Sequence, residues 1–327
     1  MKSTHQSPWD TWTGSHRSEY WRGVLSGFVL FAVVWTLIVP ALRSPRQNAK
    51  PSVNSVTNTE APIAAATIST SPISSDLSER VLPSNGVTLP ITWGDMGAKM
   101  IASGVIDQEK FESLYAARGG MTPEMSALLT GSNNGALTIT RENSGFLLNL
   151  LWGLGIGNEN TILTEGPMNS EAFGNDPSRF ASTGGWSLSV GNPMDHYSAH
   201  RFVTLTPEQQ ELVERVAKGI YRPCCGNSTL FPDCNHGMAM LGLLELMASQ
   251  GLSEQEMYDA ALSVNAYWFQ ETYLTIATFF ESQGTPWETV PAQVALSAEY
   301  SSSSGYKQLV QKTAPVQAPS GGGGCGV

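Results

Sequence analysis

The sequence is poor in charge, in cysteine and in histidine. Only 14% of its 327 residues are Asp, Glu, Lys or Arg, where an ordinary globular chain carries about 25%. Eighteen basic residues stand against 28 acidic ones, for a net charge of −10, and six of the basic ones fall within residues 1–50. The rest of the chain is therefore strongly acidic and lacks the clustered cations that a phosphate backbone requires, which excludes a nucleic-acid partner. The common nucleotide and hydrolase signals are missing too. Gly153-Leu154-Gly155-Ile156-Gly157 ends an apolar helical pattern and has neither the later glycine nor the acid of a dinucleotide loop, so it reads as a helix stop. Gly185-Trp186-Ser187-Leu188-Ser189 lacks the last glycine of a nucleophile elbow. No repeat of solenoid period is present, and no route to a named enzymatic activity emerges.

One long apolar run is present. Residues 23–42, between Arg22 and Arg43, contain no charge, and twenty residues at 1.5 Å each span about 30 Å, the thickness of a hydrocarbon core. Tyr20, Trp21 and the flanking arginines suit the interface. The run predicts an uncleaved, single-pass transmembrane helix after a short tail of residues 1–22; Val39-Pro40-Ala41 offers the alternative of a signal-peptide cleavage site. Lys2, Arg17 and Arg22 on one side balance Arg43, Arg46 and Lys50 on the other, so flanking charge does not orient the span. Residues 43–84 are rich in Ser, Thr, Pro, Ala and Asn without an aromatic side chain, a composition that cannot bury enough apolar area to fold. About forty such residues form a flexible linker spanning roughly 35 Å. Stalks of this kind favour an external setting, and the C-terminal domain is expected to be extracytoplasmic. Residues 301–327, ending Gly321-Gly322-Gly323-Gly324-Cys325-Gly326-Val327, predict a disordered tail.

Between these lies one domain, residues 85–300, expected to be mainly α and helical-bundle-like. Thr122-Pro123-Glu124 places a capping residue before a proline at the first helical position, Thr206-Pro207-Glu208-Gln209 repeats the device as a capping box, and Ser253 with Glu256 supplies a second box. The helix from Ser253 is expected to run to Ser282, where Gly284 and Pro286 stop it. Residues 143–156 and 238–248 are apolar nearly all round and predict buried helices. Only residues 182–190 alternate like a strand.

The scarce metal-binding residues are unevenly placed. Of four cysteines and five histidines, three of each fall in residues 196–236: His196, His200, Cys224, Cys225, Cys234 and His236. Thiolate and imidazole are the donors of zinc and copper sites. The tightest part, Cys-Cys-x8-Cys-x-His, closes a short loop at little entropic cost, although it departs from the paired C-x2-C of common zinc modules. Cys234 precedes the apolar run of residues 238–244, where a helix N-terminus stabilises a thiolate. Asp233 or Asn235 can cap the same helix. Met238 and Met240 are thioether donors that favour copper, or core filler. His196 and His200 sit at i and i+4, one face of a helical turn, but Tyr197 stands where a zinc peptidase has its glutamate. The expected activity is binding of Zn or Cu through Cys224 or Cys225, Cys234 and His236. Two alternatives remain open: thiol–disulfide exchange between Cys234 and Cys225, and a surface domain merely stapled by the cluster. Cys325 adds either a swinging ligand or a dispensable end. Asn227-Ser228-Thr229 matches a glycosylation sequon by chance.

Overall fold

The computed structural model describes residues 75–313 and residue 315. These belong to one unit, mainly helical as expected, with thirteen α-helices and one two-stranded sheet among them. The transmembrane run of residues 23–42, most of the linker and Cys325 lie outside the described residues. Among those described, no helix is long and apolar enough to cross a membrane.

The folded body exceeds its expected limits at both ends. Helix α1, Ser75–Val81, occupies the end of the expected linker, with Leu77 and Val81 buried. Strand β1, Val87–Gly94, follows. Leu89, Ile91 and Trp93 turn inward while Thr88, Pro90 and Thr92 face out, the period of two that a half-buried strand requires. Helices α2 (Met96–Ser103), α3 (Gln108–Ala116) and α4 (Pro123–Thr130) lead to β2, Asn134–Ile139. The strands pair antiparallel from Val87↔Ile139 to Gly94↔Asn134, with a register shift between Thr88 and Thr92, the stretch where Pro90 has no N–H to give. This sheet is a correction to the sequence reading, which placed strand character only at 182–190. That segment is instead turns. Its alternation reflects Trp186 and Leu188 turning into the core, the Trp186 indole donating to the Val105 carbonyl at 2.8 Å.

The centre of the fold is the crossing of α5, Ser144–Gly157, with a later helix, α8, Asn235–Ser249; no two elements pack more extensively. Both are buried almost throughout, as their all-round apolar sequences predicted. Helix α5 ends at Gly157, where the glycine run was read as a stop, and Gly155 within it also lets the helix approach α8. A Cβ at Gly155 would overlap the Met238 carbonyl oxygen, and one at Gly242 would lie 2.5 Å from the Leu151 carbonyl oxygen. Glycine in a helix costs about 1 kcal/mol relative to alanine, and here close backbone packing offsets it.

A short α6, Thr161–Thr164, opens a stretch of 3₁₀ turns. Helix α7, Pro207–Gly219, then begins at the capping box read from Thr206 and Gln209. After α8, the Ser253–Glu256 box starts α9, Glu254–Trp268. The single helix expected from there to Ser282 is two helices, because Phe269 leaves the helical conformation and α10 spans Gln270–Ser282. No glycine or proline marks this break. Tertiary packing imposes it, with Trp268 and Phe269 both against His236. Three short helices, α11 (Ala292–Ala295), α12 (Ala298–Ser301) and α13 (Ser303–Leu309), complete the described chain. The last lies within the expected tail, and Leu309 is buried.

Candidate metal centre

The loop joining α7 to α8 carries all three cysteines of the described residues, and its hub is an arginine that the sequence reading did not single out. Arg222 is 1% exposed. Its Nε donates to Cys234 Sγ at 3.0 Å, Nη1 to the Asn227 carbonyl at 3.2 Å, and Nη2 to the Phe231 carbonyl at 3.0 Å and to Asp233 Oδ1 at 2.7 Å. The guanidinium thus holds both arms of the loop to one centre. Gly237, in the first turn of α8, makes room for it, since a Cβ there would lie 2.5 Å from the guanidinium carbon. A buried cation must be paired and hydrogen-bonded, and this one is. Arg222 was legible in one respect: a charged residue inside the cysteine loop of a chain so poor in charge is itself a signal.

Cys234 is the N-cap residue of α8, in extended conformation, with no side-chain capping bond of its own. Neither Asp233 nor Asn235 takes that position. Asp233 gives Oδ1 to Arg222 and Oδ2 to Asn227 Nδ2 at 2.8 Å, and Asn235 accepts from the backbone N–H of His236. His236, in the first turn, is buried, its ring 4.4 Å from the Phe269 ring between centroids and 5.6 Å from that of Trp268. Cys224 is exposed and places its Sγ 3.5 Å from that of Cys234. One donor atom from each of Cys224, Cys234 and His236 lies within 4.8 Å of the others. For a tetrahedral zinc ion with bonds of about 2.3 Å to sulfur, neighbouring thiolates are about 3.8 Å apart. The pair here is within a few tenths of an ångström of that edge. A second group, Cys225, Asp233 and Cys234, satisfies the same 4.8 Å limit.

Electrostatics divides the thiols. Hydrogen bonds from Cys224 and Cys225, reinforced by His236 and the Arg222 guanidinium, hold the Cys234 thiol far below the ordinary range although burial opposes this. Cys224, bonded to Cys225 and to Cys234 and partly desolvated, is pushed up. The most thiolate-like sulfur is therefore Cys234, at the helix N-terminus where the sequence placed it.

The other two histidines of residues 196–236 lie elsewhere. His196 and His200 do not lie on a helical turn: His196 follows the 3₁₀ turn Pro193–Asp195, and Ser198 has a positive φ of 52°. Their rings still meet, His196 Nδ1 to His200 Nε2 at 3.0 Å, while His196 Nε2 reaches the Val190 carbonyl at 2.9 Å. A carbonyl only accepts, so His196 carries its proton on Nε2, and its Nδ1 accepts from His200 Nε2–H. Both nitrogens of His196 are thereby engaged. Among the described residues neither histidine joins a group of three candidate ligands. Met238 and Met240 are buried in the core. A surface cleft of about 500 Å³ beside α4 and β2 is lined by none of the candidate residues.

Comparison with family models, with curated proteins and with solved structures finds nothing similar to this chain. The functional reading rests on the chemistry of the α7–α8 loop.

Proposed function

We propose that the chain is a membrane-anchored, extracytoplasmic metal-binding protein that holds a soft or borderline ion, Zn or Cu, on Cys224, Cys234 and His236. The carrying observation is the convergence of two sulfurs and an imidazole nitrogen within 4.8 Å, on a loop already fastened by Arg222. The donor set is the chemistry such ions prefer, and a fastened loop needs little ordering when the ion arrives. Anchoring rests on the uncharged run of residues 23–42, and the external placement on the composition of the stalk. The test is elemental analysis of full-length protein, purified in detergent without a metal-affinity tag and reconstituted under reducing conditions. About one equivalent of Zn or Cu is expected in the wild type and none in Cys234→Ser; less than about a tenth of an equivalent in the wild type overturns the metal reading. Protease added to intact cells should remove the domain and spare residues 1–22.

The 3.5 Å approach of Cys224 to Cys234 supports a second reading, thiol–disulfide exchange. The partner of Cys234 is then Cys224, not Cys225 as the sequence led one to expect. Under that reading the isolated protein carries no metal, and Cys234→Ser leaves one additional free thiol after oxidation.

A further inference from the structure

Both groups of three candidate ligands among the described residues run through one sulfur. Cys224, Cys234 and His236 form the first, and Cys225, Asp233 and Cys234 the second, so whatever removes Cys234 as a donor dissolves the two together. Cys224 is placed to do so. Its Sγ lies 3.5 Å from that of Cys234, and a disulfide of about 2.05 Å asks for a closure of about 1.5 Å from a side chain that is exposed. Cys225 is the rival partner for Cys234, but its thiol donates to the Asn227 carbonyl at 3.8 Å. A bond between Cys224 and Cys225 themselves is strained, because adjacent Cα atoms are only about 3.8 Å apart and a disulfide wants at least about 4.4 Å. The rest of the loop is fastened without these sulfurs, since Arg222 donates to the Asn227 and Phe231 carbonyls and to Asp233.

We infer that the metal site is a redox switch, in which a Cys224–Cys234 disulfide expels the ion and reduction readmits it. The inference rests on the metal reading and names how that site is regulated. The oxidant is a small aliphatic disulfide. Held on the ion, both sulfurs are thiolates. Exposed Cys224 attacks one sulfur of the small disulfide, whose S–S bond breaks to release one thiolate and leave a mixed disulfide on Cys224. Cys234 then attacks the Cys224 sulfur and expels the second small thiolate. Two protein thiolates have lost two electrons, the small disulfide has gained them, its two thiolates take protons from water, and the ion departs to solvent. What remains, Cys225, Asp233 and His236, forms no group within the same 4.8 Å, and a lone imidazole does not hold the ion. In the external setting proposed for the domain, where disulfides persist, the ion is retained only under a reducing supply.

The test uses full-length protein in detergent, reduced and loaded with about one equivalent of zinc, with a chromophoric zinc indicator in solution. Glutathione disulfide should release about one equivalent of zinc and yield about two of reduced glutathione per chain. Peptide mapping after alkylation should find Cys224 joined to Cys234, and a phosphine reductant should return the zinc to the protein. Reduced glutathione at the same concentration should release none. Cys225→Ser and Cys325→Ser should each change neither the stoichiometry nor the bond. Zinc retained after the Cys224–Cys234 bond has formed overturns the inference while the metal reading stands, and so does the absence of that bond under excess oxidant. A disulfide that joins Cys225 or Cys325 instead, or release by reduced glutathione alone, overturns it in the same way. Failure of the reduced protein to take up zinc defeats the metal reading and this inference with it.

Discussion

The cysteine loop and the histidine pair began as one cluster in sequence, and the structure treats them in opposite ways. In the loop, an arginine outside the donor set satisfies carbonyls and a carboxylate, leaving two sulfurs and His236 close together. At His196 and His200 the donors spend their hydrogen-bonding capacity on each other and on Val190. Proximity of ligating residue types is thus insufficient; a site also needs other groups to absorb the local polar demands. The loop supplies these in Arg222 and Asn227, and the histidine pair does not.

The comparison breaks most severely if Arg222 is removed. Arg222→Ala leaves Asp233 and two carbonyls without their donor and opens a cavity, and loss of one partner of a buried ion pair costs about 3–5 kcal/mol. Denaturant unfolding of the metal-free reduced protein measures this; a loss under 1 kcal/mol would show that the loop does not depend on its hub.

Next in size is Glu245, on the same helix as His236 but facing the histidine side of the fold. It is fully buried, accepts from Asn160 Nδ2 at 2.5 Å, and burial raises its carboxyl well above the ordinary range, only partly offset by hydrogen bonds from Asn160 and Asn158. Its neutral form is favoured in the folded state, so the folded chain binds more protons than the unfolded one. Stability should fall as pH rises above about 4.3, the unfolded value, by up to about 1.4 kcal/mol per pH unit until the folded group ionises. Glu245→Gln should flatten that slope and be the more stable protein at neutral pH. Parallel unfolding curves for the two across pH 4–8 would contradict this.

His200 gives a smaller effect of opposite sign. Burial, then the neighbouring His196, lowers its affinity for a proton, so folding is favoured above about pH 6.5 and weakened as pH falls below it. His200→Gln should lessen the acid-side loss by less than about 1 kcal/mol, since the group is largely solvated. The smallest expected effect is the most discriminating: His196→Ala and His200→Ala, singly or together, should leave metal content at the wild-type value. A fall to half would return the pair to the ligand set.

Much of the fold was legible because the local signals were strong. Thr122, Thr206 and Ser253 cap the helices they were expected to start, and the all-round apolar stretches became the buried crossing of α5 and α8. The break at Phe269 was illegible because long-range packing against His236 causes it. The sheet was overlooked because β1 is interrupted by Pro90, and β2, Asn-Gly-Ala-Leu-Thr-Ile, shows little alternation in sequence. At the site, the nearness of Cys224, Cys234 and His236 and the place of Cys234 at a helix start were readable from spacing. The choice of Cys224 over Cys225 as the near neighbour of Cys234 and the separation of the histidine pair were not, since both depend on how Arg222 folds the loop.

The account stands most directly on where a bound ion goes. X-ray absorption at the zinc edge of full-length, reduced, zinc-loaded protein should show two sulfur ligands at about 2.3 Å together with nitrogen or oxygen at about 2.0–2.1 Å. A shell of nitrogen and oxygen alone, of the kind the histidine pair would provide, would contradict the assignment to Cys224, Cys234 and His236.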